Sequence, residues 1–209
     1  MKLTKILFAI SVSALSLSAQ TIFNHPIQFN AGGGFTNGLY STGNRTDTGY
    51  NLTGGISFNV KAFGVRTEYQ FNNMGINPNT SHSLGYPGGE IRVHSVTLNP
   101  MVDLIAIGPV RPYVIGGGGW YQVQKRFQAP VGPTFQGWDP YFNIDFRDPV
   151  PVGYAPITSI VNKGGINGGA GIKFKMWGRS KGYAEWRFHY VYTSGNRTTY
   201  SPVTLGVEF

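Results

Sequence analysis

The chain has 209 residues, no cysteine, 30 glycines and only 12% charged side chains, and it carries a formal net charge of +8. Charged residues run at about half their usual share and glycine at about twice its own. The missing cysteine excludes disulfide scaffolds, thiolate metal sites and cysteine nucleophiles, and a hydrophobic fraction of 41% excludes both a disordered chain and a bundle of membrane helices.

At the start of the chain, Lys2 and Lys5 precede the apolar run Ile6 to Leu15, and the small residues Ser16, Ser18 and Ala19 follow. A basic start, a short apolar core and a small-residue exit are the parts of a secretory signal peptide, expected over residues 1–20. The apolar run is too short for a membrane-spanning helix, which takes about 20 residues. Export is therefore expected, with one domain over 25–209.

Beyond residue 25 the sequence alternates. The first strand sets Ile27, Phe29, Ala31 and Phe35 against Gln28, Asn30, Gly32 and Thr36. The second sets Tyr50, Leu52, Ile56, Phe58 and Val60 against Asn51, Thr53, Ser57 and Asn59. In the third, Phe63, Val65, Thr67, Tyr69 and Phe71 oppose Gly64, Arg66, Glu68 and Gln70. Such a period of two puts one apolar and one polar face on a strand. The fourth, near 91–102, is less regular, with Val96, Leu98 and Val102 as the apolar set. The fifth, near 111–123, offers Tyr113, Ile115, Tyr121 and Val123 as its apolar set around Gly116 to Gly119. The sixth sets Ile166, Ala170, Ile172 and Phe174 against Asn167, Lys173 and Lys175. The seventh sets Ala184, Trp186, Phe188, Tyr190 and Tyr192 against Tyr183, Glu185, Arg187 and His189. Val203, Leu205, Val207 and Phe209 oppose Thr204, Gly206 and Glu208 in the eighth.

Segments of about ten residues suit tilted strands that cross a bilayer. The connectors alternate long and short: 37–49, 61–62, 73–90, 103–110, 125–163, 177–182 and 193–200. Tight turns at one rim and longer loops at the other belong to an up-and-down outer-membrane barrel. The expected fold is an all-β, eight-stranded, antiparallel, up-and-down transmembrane β-barrel with both ends of the domain on the periplasmic side.

Which face points inward decides between this barrel and a soluble, lipocalin-like periplasmic carrier with an apolar interior. Aromatics near strand ends (Phe35, Tyr50, Phe63, Phe71, Tyr121, Tyr192, Phe209) favour apolar-outward, because they match two interfacial girdles. The polar parity mixes glycines with charges of both signs. A lumenal network of Arg66, Glu68, Lys173, Lys175, Glu185, Arg187, His189 and Glu208 is therefore expected, since charges inside so narrow a barrel must be paired.

The segment from Val203 to Phe209 resembles the terminal strand by which the outer-membrane assembly machinery recognises its clients, with Val203, Leu205, Val207 and Phe209 as the signal. Together with Arg111-Pro112-Tyr113 running into Gly116–Gly119, and with the Glu185/Arg187 strand, it makes 25–209 similar to the OmpA/OmpX-type eight-stranded barrel family. The resemblance implies insertion by the barrel assembly machinery after escort by a periplasmic chaperone. The peptidoglycan-binding domain of the longer members is not expected.

Chemistry finds little purchase. In lipid A 3-O-deacylases, a barrel family, a His and a Ser stand two residues apart on a late strand. Here Val191 stands two residues after His189, the first serine is Ser194, and His189 lies on the lumenal parity. The histidines are scattered, so no metal and no cofactor is expected. Gly116–Gly119 lacks the Lys-Ser/Thr of a phosphate loop. The cations are dispersed, which argues against nucleic acid and for contact with outer-membrane lipid and lipopolysaccharide. The 125–163 connector is too long for a bare loop and rich in aromatics. It is expected to extend strands outward or fold over the mouth, and Phe135, Trp138, Tyr141, Phe142 and Phe146 make a candidate interaction surface. The expected function is a non-enzymatic outer-membrane barrel with a structural or surface-interaction role. A narrow ion-permeable pore and a lipid-modifying enzyme are the alternatives beside the soluble carrier.

Overall fold

The computed structural model describes residues 27–83, 88–105, 108–131, 134–139, 144–149, 153–176, 180–193 and 197–209. The signal peptide expected over 1–20 lies outside them. The strands are β1 (Ile27–Gly38), β2 (Gly49–Val60), β3 (Phe63–Gly75), β4 (Gly89–Asp103), β5 (Val110–Val131), β6 (Thr134–Asp139), β7 (Ile144–Pro149), β8 (Gly153–Lys175), β9 (Lys181–Val191) and β10 (Thr198–Glu208). Two short helices, α1 (Tyr40–Gly43) and α2 (Pro78–Ser83), sit in the first two long connections.

Eight of the strands close into one antiparallel barrel in the order β1-β10-β9-β8-β5-β4-β3-β2, while β6 and β7 form a separate hairpin. The seam between the terminal strands runs from Asn30 opposite Glu208 to Gly38 opposite Tyr200. Reciprocal bonds finish it, from Phe29 N–H to Phe209 O at 2.8 Å and from Phe209 N–H to Phe29 O at 2.9 Å. Closure leaves the barrel wall no free sheet edge.

At the rim that carries both ends of the barrel, Val60 pairs with Phe63 across the two-residue turn Lys61-Ala62. Lys61 there has φ 56°, a left-handed conformation that a Cβ disfavours by about 1 kcal/mol or more. Lys61→Gly should therefore leave stability unchanged or raise it by up to about 1 kcal/mol, read from the urea midpoint of the protein in vesicles.

Burial settles the two faces. Arg66, Glu68, Gln70 and Asn72 on β3 are buried, whereas Leu52, Ile56, Phe58, Val65, Leu98, Ile172, Trp186 and Leu205 are each exposed by two-fifths or more. On β2 this apolar wall runs from Tyr50 to Val60, a height of about 25 Å for a strand tilted by about 40°. Phe35, Tyr50, Phe63, Tyr192 and Phe209 lie outside, at the levels of the two rims. Phe71 is half covered by the rings of Tyr50 at 5.9 Å and His94 at 4.9 Å.

The fifth barrel strand reverses expectation. Tyr113, Ile115, Tyr121 and Val123 point inward and are at most 4% exposed, and Val110, Val114 and Trp120 face outward instead. Tyr121 thus leaves the girdle and Trp120 takes that place. The glycine run carries no side chains to set parity, and both tyrosine hydroxyls find polar partners in the lumen. The 125–163 connector is mostly strand. The ladder between β5 and β8 continues from the barrel wall up to Val131 opposite Gly153, and β6–β7 lies within it.

Candidate functional site

The lumen is filled, and its filling changes character along the axis. At the periplasmic end, β3 and β9 each supply an arginine two residues from a glutamate, which puts both on the inner face. Arg66 on β3 reaches across to Glu185 on β9 at 2.9 Å. Arg187 on β9 returns to Glu68 on β3 through two hydrogen bonds of 2.9 and 3.1 Å. Each carboxylate also meets the arginine of its own strand, Glu185 with Arg187 at 2.6 Å and Glu68 with Arg66 at 3.6 Å.

Around this square, Lys173 on β8 bridges Asp103 at 3.5 Å and Glu208 at 3.7 Å, and Glu208 lies 3.9 Å from Arg66. The Tyr113 hydroxyl donates to Glu185 at 2.5 Å. The guanidinium of Arg66 lies 5.9 Å from the Tyr113 ring centre and 5.3 Å from that of Tyr183. Two arginines at 0% and 1% exposure are tolerable only because every charge is met by an opposite one. Lys175 stands apart from the network: it follows Lys173 on the same face but lies past the closed lumen and is exposed.

Glycines make room for these long side chains. Gly171 is the register partner of Tyr113, and Gly206 of Tyr183. A Cβ at Gly171 would fall 2.6 Å from the Tyr113 Cζ, and one at Gly206 would overlap the Tyr183 ring. Such tyrosine-over-glycine seats explain why the polar parity alternates charges with glycines.

Midway up, Asn167 donates to Asn99 at 2.9 Å, and Thr36 to Asn72 at 2.8 Å. Above them His189 is stacked on Tyr200, with ring centroids 4.7 Å apart, and bonded to the Tyr121 hydroxyl at 3.1 Å. At the outer end the filling is apolar: Met74, Ile76, Ile91, Val93, Val123 and Val191 pack with Tyr121 and Tyr200 into one buried cluster. Sequence reasoning missed this upper plug. Its trace is the irregular fourth strand, where Ile91 and Val93 share the inward parity of Thr97 and Asn99.

With ion pairs below and an apolar stopper above, the lumen offers no continuous polar path among the described residues. Refolded protein in planar bilayers should show no steady conductance at 100 mV or so; discrete, long-lived channels would contradict the sealed lumen.

Of the candidate interaction surface, Phe135 and Trp138 lie on β6, opposite Asp148 and Asp145, and Phe146 lies on β7 opposite Gly137. Tyr141 and Phe142 lie outside the described residues. The terminal-strand residues Val203, Leu205, Val207 and Phe209 all belong to the lipid-facing parity of β10 and its end.

Comparison with protein-family models gives no match, and neither does comparison with curated protein sequences. Solved structures do match. Neisserial surface protein A (NspA) aligns with a TM-score of 0.55 at 11% identity, over 88% of this chain and 96% of that one. A major outer membrane protein from Thermus thermophilus aligns with a TM-score of 0.54 at 12% identity, over 88% and 99%. At such identities the likeness is one of fold, and the physical evidence for a membrane setting is the chain's own: a closed barrel with a charged, filled lumen and a continuous apolar outer wall. The protein has the OmpA/OmpX-type eight-stranded barrel fold, with the filled polar lumen and apolar outer wall of a barrel that spans a membrane.

Proposed function

We propose that this protein is a non-enzymatic outer-membrane barrel whose role is interaction at the cell surface, with the sealed barrel as a rigid mount for its outer strands. The observation that carries this reading is the β5–β8 ribbon. β8 pairs with β9 only from Gly165 downward, while its ladder with β5 continues to Gly153. Among the described residues, 153–163 therefore stand above the wall with one backbone edge unpaired, since the Gly164 carbonyl still accepts from Tyr192 N–H at 3.1 Å. Tyr154, Ile157 and Ile160 on this stretch are each more than half-exposed or close to it. An open edge of this kind is a template for an added strand. Retaining it is hard to account for in a protein that only fills membrane.

The lipid-modifying alternative would need a nucleophile and base together on the lipid-facing wall. His189 is fully buried in the lumen, and the outward His94 is bonded to the Tyr69 hydroxyl at 2.7 Å. Neither arrangement supplies a serine–histidine pair.

The test replaces 129–152 by a short Asn-Gly turn and trims the ribbon, leaving the barrel strands intact. Wild-type and trimmed barrels in lipid nanodiscs would select peptides from a displayed random library. Enrichment of extended, β-prone peptides on the wild type alone is the expected result. Equal selection by both barrels, with detergent sensitivity of the deletion strain rescued by the trimmed form, would make the role structural.

A further inference from the structure

On the outer wall, above the aromatic girdle, two arginines share one carboxylate. Arg92 on β4 meets Glu90 at 2.7 Å, and Arg126 on β5, the register partner of Glu90, meets it at 3.7 Å. All three side chains belong to the outward parity, on the side away from the lumen. The carboxylate holds the two guanidiniums together yet cancels only one of their charges, so the group keeps a net charge of +1. The Nε atoms of Arg92 and Arg126 are buried and, among the described residues, have no hydrogen-bond partner. What an anion can reach is the exposed part of the two guanidiniums, whose side chains are 32% and 40% exposed and are held side by side with excess positive charge. A cavity of about 400 Å³, lined by Gly89, Glu90, Arg126, Phe127, Gln128 and Pro156, opens beside them.

Height decides which anion. Trp120 marks the outer girdle on β5 and pairs with Val96 on β4. Arg92 lies four residues above Val96 and Arg126 six above Trp120, which on tilted strands is about 10 Å and about 15 Å. That is the level of headgroup phosphates and of the first sugars of a glycolipid, not of the hydrocarbon. Below the arginines, Tyr69, His94 and Gln122 give the same side of the wall polar tips at the interface.

We propose that Arg92 and Arg126, set by Glu90, form a binding site for the phosphate groups of an outer-leaflet phosphoglycolipid. The site rests on the outer-membrane placement of the barrel but not on the surface-interaction role of the ribbon. It gives the barrel a lipid-anchored side, with the cavity taking sugar or the upper part of an acyl chain.

The experiment measures binding of fluorescent lipid A to the full-length protein refolded in zwitterionic detergent, with a gel-shift assay for the folded barrel run on each variant. Arg92→Gln/Arg126→Gln should weaken binding by about tenfold, the size expected when charge-assisted hydrogen bonds to phosphate are lost. Glu90→Gln should tighten it, because the carboxylate competes with the ligand for the same guanidiniums; a merely structural triad would give no such gain. Dephosphorylated lipid A should bind wild type and double variant alike, and millimolar inorganic phosphate should not displace lipid A. Equal lipid A binding by wild type and the double variant, with both folded, would overturn the site. Displacement by inorganic phosphate would overturn the lipid as its ligand. Should the double variant fail the gel shift, the single variants Arg92→Gln and Arg126→Gln carry the charge test in a folded protein. Weaker lipid A binding by the folded single variants upholds the site, and binding equal to wild type overturns it.

Discussion

Glu185→Ala should destabilise the barrel by about 3–5 kcal/mol, the cost of removing one partner from a buried charge network. Glu185 takes Arg66 at 2.9 Å, Arg187 at 2.6 Å and the Tyr113 hydroxyl at 2.5 Å, so its loss leaves three donors short of an acceptor at once. The remaining anions cannot follow: Glu68 already holds Arg187 through both oxygens, and Glu208 is shared with Lys173. Water cannot readily compensate, because Arg66, Arg187, Glu68 and Glu185 are at most 6% exposed. A urea titration of refolded protein in vesicles reads the effect as a shift of the unfolding midpoint. Arg66→Met/Glu185→Met, which removes both members of one pair and refills the volume, should lose less than Glu185→Ala, because unpaired buried charge and not the missing attraction dominates the cost. A Glu185→Ala shift below about 1 kcal/mol would mean the lumen is wet enough to solvate the arginines.

Gly206→Val is expected to be as damaging by a different route. The new Cβ would overlap the Tyr183 ring and come within 2.5 Å of the Ala31 carbonyl oxygen, so both a side chain and the neighbouring strand stand in its way. Tyr183 has nowhere to retreat, since its hydroxyl lies against Gly32 on the far side and its ring carries Arg66 at 5.3 Å. Overpacking of this kind costs about 1–3 kcal/mol, and displacement of Arg66 from the network would add to it. The seam between β1 and β10 passes through this point, with Gly32 paired to Gly206. Slow or incomplete barrel closure should therefore accompany the loss, read as an unfolded band that persists on gels after refolding. Tyr183→Ala in the same chain should recover much of it; no recovery would place the strain in the backbone contact with Ala31.

Both effects reside in residues that the period of two had already put on the inner face, and this part of the architecture was legible for a physical reason. Lipid outside and ion pairs inside impose opposite demands on alternate residues, so β2, β3, β9 and β10 declare their faces without ambiguity. Arg66/Glu68 and Glu185/Arg187 could be matched from sequence because their opposite signs recur at a spacing of two. The fifth barrel strand misled because a tyrosine fits either face: it suits a membrane interface, and it suits a lumen where Glu185 accepts its hydroxyl or His189 shares a hydrogen bond with it. Four glycines between Ile115 and Trp120 removed the neighbours that would have decided. The upper plug stayed hidden because the lumen is not uniformly polar, so Ile91, Val93 and Val123 look like lipid-facing residues in any local window. Lys175 shared the parity of Lys173 but not its depth, and depth is set by where the barrel ends.

The most direct test of the account is the topology of the long third outer connection in intact cells. A version tagged within 128–150 should be recovered in the outer membrane and be cleaved there by protease added from outside, leaving a protected barrel core. Recovery as a soluble periplasmic protein, or a tag shielded in intact cells and cut only after the envelope is opened, would contradict it.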